Sequence, residues 1–291
     1  MSNGLPVLPE GFGRAAEKLV DTVRHVIDVV VGPTRMRARA QAQADSAVIL
    51  AEGRAQVQEI EARAVERLRR REGRRQRNIE AITTKALAAL PPPGQISEQP
   101  VSEDWTSRFF EECQDISDEQ MQLIWARLMA GEVARPGSFS PRTLGVVRDL
   151  TKEDANLFSK VCEFAWSVPT LGTVPVIHTI EAPNAIEVQY GELMHLAFMG
   201  LIELNSVGTF CTIKPTREIS PSYFGKVHQL MFGDGTEQIL DVGHVVFTVA
   251  GSELEKISGA IGSAEYQRVA LEGWFEAGWR AQGAVTPPPS A

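Results

Sequence analysis

At 291 residues, 43% of them hydrophobic, the chain is long enough for two domains, or one domain plus an extended element, and has the composition of an ordinary globular protein. The formal net charge of −8 excludes attraction of the whole molecule to nucleic acid or anionic lipid, so only local basic patches are left to weigh. Cys113, Cys162 and Cys211 are far apart and form no C-x-x-C pair, which excludes a disulfide framework and a zinc knuckle.

A reducing cytoplasm is the expected compartment, with membrane association left open. The opening MSNGLPVLPEGFG has no basic stretch followed by an apolar one, so no secretory leader is expected. Residues 1–33 are read as an amphipathic N-terminal helix, with Phe12, Leu19, Val23, Val26, Ile27 and Val30 on one face and Gly32-Pro33 as its stop. That face meets either a protein partner or, peripherally, a membrane surface. Glu17, Asp21 and Asp28 offset Arg14, Lys18 and Arg24, which favours protein packing.

Residues 34–90 contain no proline and are rich in Ala, Glu, Gln and Arg, so they are read as a helical rod. Such a rod is roughly 80 Å long at about 1.5 Å per residue, too long for one compact domain. Its coiled-coil-like seam runs through Val57, Ile60, Ala64 and Leu68 and resumes at Ile79, Ile82 and Ala86. A homo-oligomer formed through the long helix is therefore expected. Between the two blocks lie Arg69, Arg70, Arg71, Arg74, Arg75 and Arg77 around Glu72 and Gly73. They form either a phosphate-contacting stripe or a solvated helical face, and the solvated face is favoured.

Pro91 to Gly94 ends the rod, and residues 91–101 read as a linker. A helical domain follows at 102–168, and its stretch Asp104 to Asp154 holds two of the five tryptophans, Trp105 and Trp125. Its start signals are Ser102, a capping box Ser117/Gln120, Ser140-Pro141, and Thr151 with Asp154. Gly131 is read as the end of the helix that carries Met121, Ile124, Trp125 and Leu128. In the loop Gly131 to Ser140, Arg135 and Arg142 accompany hydroxyl groups at a helix N-terminus. This is a candidate anion site, although capping explains the same residues.

Residues 169–280 change period and read as a winged-helix-like α+β domain, with residues 281–291 as a disordered tail. Ile202 to Leu204 and Phe210 to Ile213 are expected to be strands joined by a turn at Ser206-Val207-Gly208. A helix before GLIEL, then VVFTVAGSELEKI, fits the winged-helix layout. The helix in the recognition position, GELMHLAFMG, has neither Arg nor Lys, which favours a protein-contacting role. The fold class expected is mainly α with a smaller α+β part.

No catalytic residue, metal site or cofactor is indicated. Gly11-x-Gly13-x-x-Ala16 lacks the preceding strand of a dinucleotide site, and P-loop, G-x-S-x-G and H-E-x-x-H motifs do not occur. A hidden nucleophile pair of Cys211 with His195 or His244 is the remaining enzymatic alternative.

At RRQRNIEAI, EDW, QLIWARLMAGE and PGSFSPRTLGVVRDLTKEDA the sequence resembles a bacterial family known only as a domain of unknown function. It is more remotely similar to the abortive-infection alpha group, which likewise places a W-x-x-L helix before a serine-containing loop and an L-T/S-x-x-D-A helix. The resemblance covers roughly Ala64 to Phe164 and extends, more weakly, to the winged-helix-like end. It implies a part in defence against phage, as effector or adaptor with a protein partner, and supplies no catalytic residues. The function expected is that of a non-enzymatic oligomer acting through protein contacts, with a membrane contact through Phe12 to Val30 left open. The alternative is a nucleic-acid-binding adaptor that uses Arg69 to Arg77.

Overall fold

The structure, a computed structural model, describes residues 54–169, 171–177, 188–213, 218–232 and 238–281. The face from Phe12 to Val30, the start of the rod and the tail lie outside them. The chain divides into two compact units, Met1–Arg148 and Asp149–Ala291. It mixes helices with several antiparallel sheets.

The first unit is helical. Helix α1 (Arg54–Ala88) is followed by α2 (Glu103–Cys113), α3 (Glu119–Ala134) and α4 (Pro141–Asp149). The rod is thus partly a packing helix: Ile79, Ile82, Ala86 and Leu87 of α1 are buried, chiefly where α1 lies along α3. Upstream the same helix emerges from the unit, leaving Ile60 56% and Val65 63% exposed. The apolar positions 60, 64, 79, 82 and 86 stay on one side because steps of three and four average close to about 3.6 residues per turn. The segment read as a linker is tied down, since the Ser97 N–H donates to the Ala134 carbonyl and Val101 is buried.

Ser102 caps α2 as expected, accepting from the Trp105 N–H. The cap of α3 is Asp118, whose carboxylate accepts from the Gln120 and Met121 N–H groups. Ser117, expected in that role, pairs instead with Asn78 of α1. Gly131 does not end α3, which continues to Ala134. Its role is close approach: a Cβ there would sit 2.7 Å from the Phe139 ring. Trp105, Phe109 and Trp125 form the core, with Trp105 stacked on Phe109 at 5.2 Å and Phe109 edge-on to Trp125 at 5.3 Å.

The second unit opens with α5 (Lys152–Cys162), whose Thr151–Asp154 capping box forms as expected. The sequence grouping placed this helix with those before it. Here Phe158 packs edge-on against Phe247 of the same unit. Strands β1 (Ala165–Val168) and β2 (Gly172–Pro175) pair antiparallel, and α6 (Tyr190–Phe198) precedes β3 (Ile202–Ile213). The turn expected at Ser206-Val207-Gly208 is absent. β3 runs through it and pairs with β8 (Gln238–Phe247), with the register shifting between Leu204 and Thr209. The extra residues are taken up as a bulge, which needs no chain reversal.

Short strands β4 (Glu218–Ile219), β5 (Ser222–Tyr223), β6 (Lys226–Val227) and β7 (Leu230–Phe232) lie between β3 and β8 in the chain. Helices α7 (Val249–Glu255) and α8 (Ala264–Glu276) and strand β9 (Trp279–Ala281) complete the unit. The strand order is β2-β1-β5-β6 in one sheet and β4-β7-β9 in another. Trp166 is fully buried between Tyr223 at 4.9 Å, Trp274 at 4.8 Å and His228 at 5.4 Å.

Candidate functional site

The arginine cluster does not act as one group. Arg75 turns toward the unit: its guanidinium grips Asp115 with Nη2–Oδ2 at 2.6 Å and Nε–Oδ1 at 3.0 Å, and Arg74 reaches the same carboxylate at 3.0 Å. Arg75 holds the Asp115 carboxyl below the usual carboxylate range. Beside this clasp, Asn78 donates to the Gln114 carbonyl at 2.9 Å and Lys85 to Gln122 at 2.8 Å. Part of the charge run therefore fastens the rod to the unit.

The remainder faces outward. Arg70 pairs with Glu66 at 2.7 Å and Arg71 with Glu72 at 3.3 Å, all exposed or half-buried. Glu66, Arg69, Arg70, Arg74 and Arg77 surround a shallow open depression whose floor is Gly73. Arg63 and Arg67, outside the sequence-defined cluster, are exposed and extend the face toward the N-terminus. The spacing 63, 67, 70, 74 and 77, in steps of four and three, was the available signal for them.

The loop after α3 is organised around a residue that sequence reasoning passed over. Glu132 is 2% exposed, and its carboxylate accepts the Gly137 N–H at 2.7 Å and the Phe139 N–H at 3.0 Å. Amides that could meet an external anion are thus taken by the chain's own carboxylate, while Arg135 and Arg142 point to solvent. The Phe139 carbonyl in turn accepts the Trp105 indole N–H at 2.8 Å.

His195 Nε2 lies 2.6 Å from Asp154 Oδ1, a pairing the sequence did not suggest. The other carboxylate oxygen of Asp154 accepts the Thr151 N–H at 2.9 Å and the Thr151 hydroxyl at 2.8 Å, so the pair is an extended helix cap. The Cys211 side chain lies outside the described residues. His244 Nδ1 contacts the Asn205 carbonyl at 2.9 Å. On α6, Tyr190, Met194 and Phe198 are exposed, Phe198 to 89%. No three His, Cys, Asp or Glu side chains among the described residues are grouped to hold a metal ion, and no described helix is long and apolar enough to cross a membrane.

Burial works to raise the Asp154 carboxyl, but the Thr151 N–H and the His195 ring outweigh it and leave it below its ordinary value. A depressed folded-state value means stability that is fully present above the unfolded value of about 3.9 and lost as pH falls through the folded one. We predict that Asp154→Ala is less stable by about 1 kcal/mol at neutral pH, the usual cost of a lost cap. In urea titrations its difference from wild type should shrink below about pH 4. A pH-independent difference would show that the carboxylate charge plays no part.

No match is found among curated proteins or among solved structures. A family model described as a protein of unknown function, DUF2806, matches residues 62–270, from the exposed part of α1 through most of α8. The chain belongs to this family of proteins of unknown function.

Proposed function

We propose that the protein is a non-enzymatic, self-associating bacterial phage-defence protein, an abortive-infection-like effector or adaptor that works through protein contacts. The observation that carries self-association is the apolar side of α1. Downstream it is buried by α3, and upstream it opens out, half-buried at Leu68 and exposed at Ala64 and Ile60. Helices owe most of their stability to such a packed face. A second copy supplies the same face, and antiparallel pairing keeps the two helical units at opposite ends. The non-catalytic reading is supported by the buried carboxylates Glu132 and Asp154, both taken up by backbone amides, Glu132 in the loop after α3 and Asp154 in the capping box of α5. The defence role is supported by the abortive-infection-like motifs of the sequence.

In the second unit, α6, the β3–β8 pair and the Thr248-led α7 support a winged-helix-like reading with β3–β8 as the wing. The exposed face of α6 is apolar and lacks Arg and Lys, which favours protein contacts over nucleic acid at that helix.

Light scattering is expected to give at least a dimer for wild type and a monomer for Ile60→Asp/Leu68→Asp. The same double variant should lose protection against phage plating in a bacterial host that expresses it. A monomeric wild type would overturn self-association, and a host with no protection from wild type would overturn the defence role.

A further inference from the structure

We infer that Arg63, Arg67, Arg70, Arg74 and Arg77 form a binding strip for the phosphate backbone of a nucleic-acid duplex. All five are exposed, and at about 100° of rotation per residue they fall within roughly 80° of arc on one side of α1. This side is turned away from the buried face of Ile79, Ile82 and Ala86. Residues 63–77 contain eight arginines and two glutamates, a local charge of +6 in a chain of net charge −8. The row spans about 21 Å at about 1.5 Å per residue. That length matches about six phosphates of one strand, which are spaced about 3.4 Å along the duplex axis.

The chemistry favours phosphate. A guanidinium fork pairs with two phosphate oxygens at once, and Gly73 leaves a depression between Arg69, Arg70, Arg74 and Arg77 into which a phosphate can seat. Within the row, Arg70 holds Glu66 and Arg74 holds Asp115. Those pairs are solvent-exposed, so they are weak enough for a phosphate oxygen to displace them. No aromatic residue lies between 60 and 90, which removes base stacking and points to a duplex read without sequence preference. A membrane surface fits less well, because a helix lying in lipid buries a continuous apolar face, and along α1 that face is already buried at Ile79, Ile82 and Ala86, leaving only Ile60, Ala64, Val65 and Leu68 to enter lipid.

The test is fluorescence anisotropy of the full chain with short labelled DNA and RNA duplexes, from about 50 to about 200 mM salt. Wild type is expected to bind at least one of them with a steep salt dependence. Arg67→Gln/Arg70→Gln/Arg77→Gln should weaken binding tenfold or more at low salt and lower the salt slope by about three, close to one per lost phosphate contact. Arg77→Gln alone should lower the slope by about one. A control that removes equal charge, Arg135→Gln/Arg142→Gln/Arg268→Gln, should bind like wild type. Absence of duplex binding at low salt, an equal loss in the control, or binding to phosphatidylserine vesicles but not to duplexes would each overturn the proposal. The row variants leave Ile60, Ala64 and Leu68 intact, so this test can fail without bearing on self-association.

Discussion

Gly251→Ala is expected to destabilise the second unit by about 3 kcal/mol or more, the upper end of what overpacking costs. Thr248 caps α7, accepting the Gly251 N–H at 3.0 Å, and its hydroxyl donates to the Gly200 carbonyl at 2.7 Å. The Thr248 N–H also donates to the Leu201 carbonyl at 3.1 Å. This draws the start of α7 onto the chain between α6 and β3, so a Cβ at position 251 would lie 1.9 Å from the Leu201 oxygen. The obstacle is backbone held by these bonds and has no rotamer by which to retreat. Gly191→Ala is the comparison, since it is also helical and a Cβ there meets nothing within 4 Å. That substitution should be neutral or stabilising by up to about 1 kcal/mol. Urea denaturation followed by tryptophan fluorescence measures both, and equal stabilities for the two variants would contradict the close approach.

Glu132→Gln is expected to cost the first unit about 2 to 3 kcal/mol although it is nearly isosteric. The carboxylate has an oxygen for each of two backbone N–H groups, at Gly137 and Phe139. An amide offers one oxygen and turns its NH2 toward the other N–H, leaving a donor facing a donor in a buried place. Phe139 also holds the Trp105 indole through its carbonyl and fills the space above Gly131. The near-ultraviolet circular dichroism of the tryptophans should therefore change with stability. A variant as stable as wild type, with an unchanged spectrum, would show that the loop does not depend on the charge.

Local rules were readable where the partner lies within three residues. Ser102 and the Thr151–Asp154 box cap as their spacing implies, because the cap and its amide are held together by the helix they start. The rule failed at Ser117-Asp118, two adjacent capping residues, and Asn78 decided between them by engaging Ser117 from a distant helix. Gly131 carried the same ambiguity, since a glycine either stops a helix or admits a neighbour, and only the position of Phe139 distinguishes the two. The apparent hairpin in β3 was misread because Ser-Val-Gly suits a bulge as well as a turn.

For the arginine run, the sequence by itself determined that strong positive charge lies on a long helix with an apolar seam, because helical period and composition are properties of the chain alone. The tertiary structure decided how the run is divided. Asp115 draws in Arg75 and engages Arg74, while the packing of α1 on α3 turns the row from Arg63 to Arg77 outward. The physical reason is that a helix sets which residues share a face, whereas which face is buried depends on partners about forty residues away in the chain.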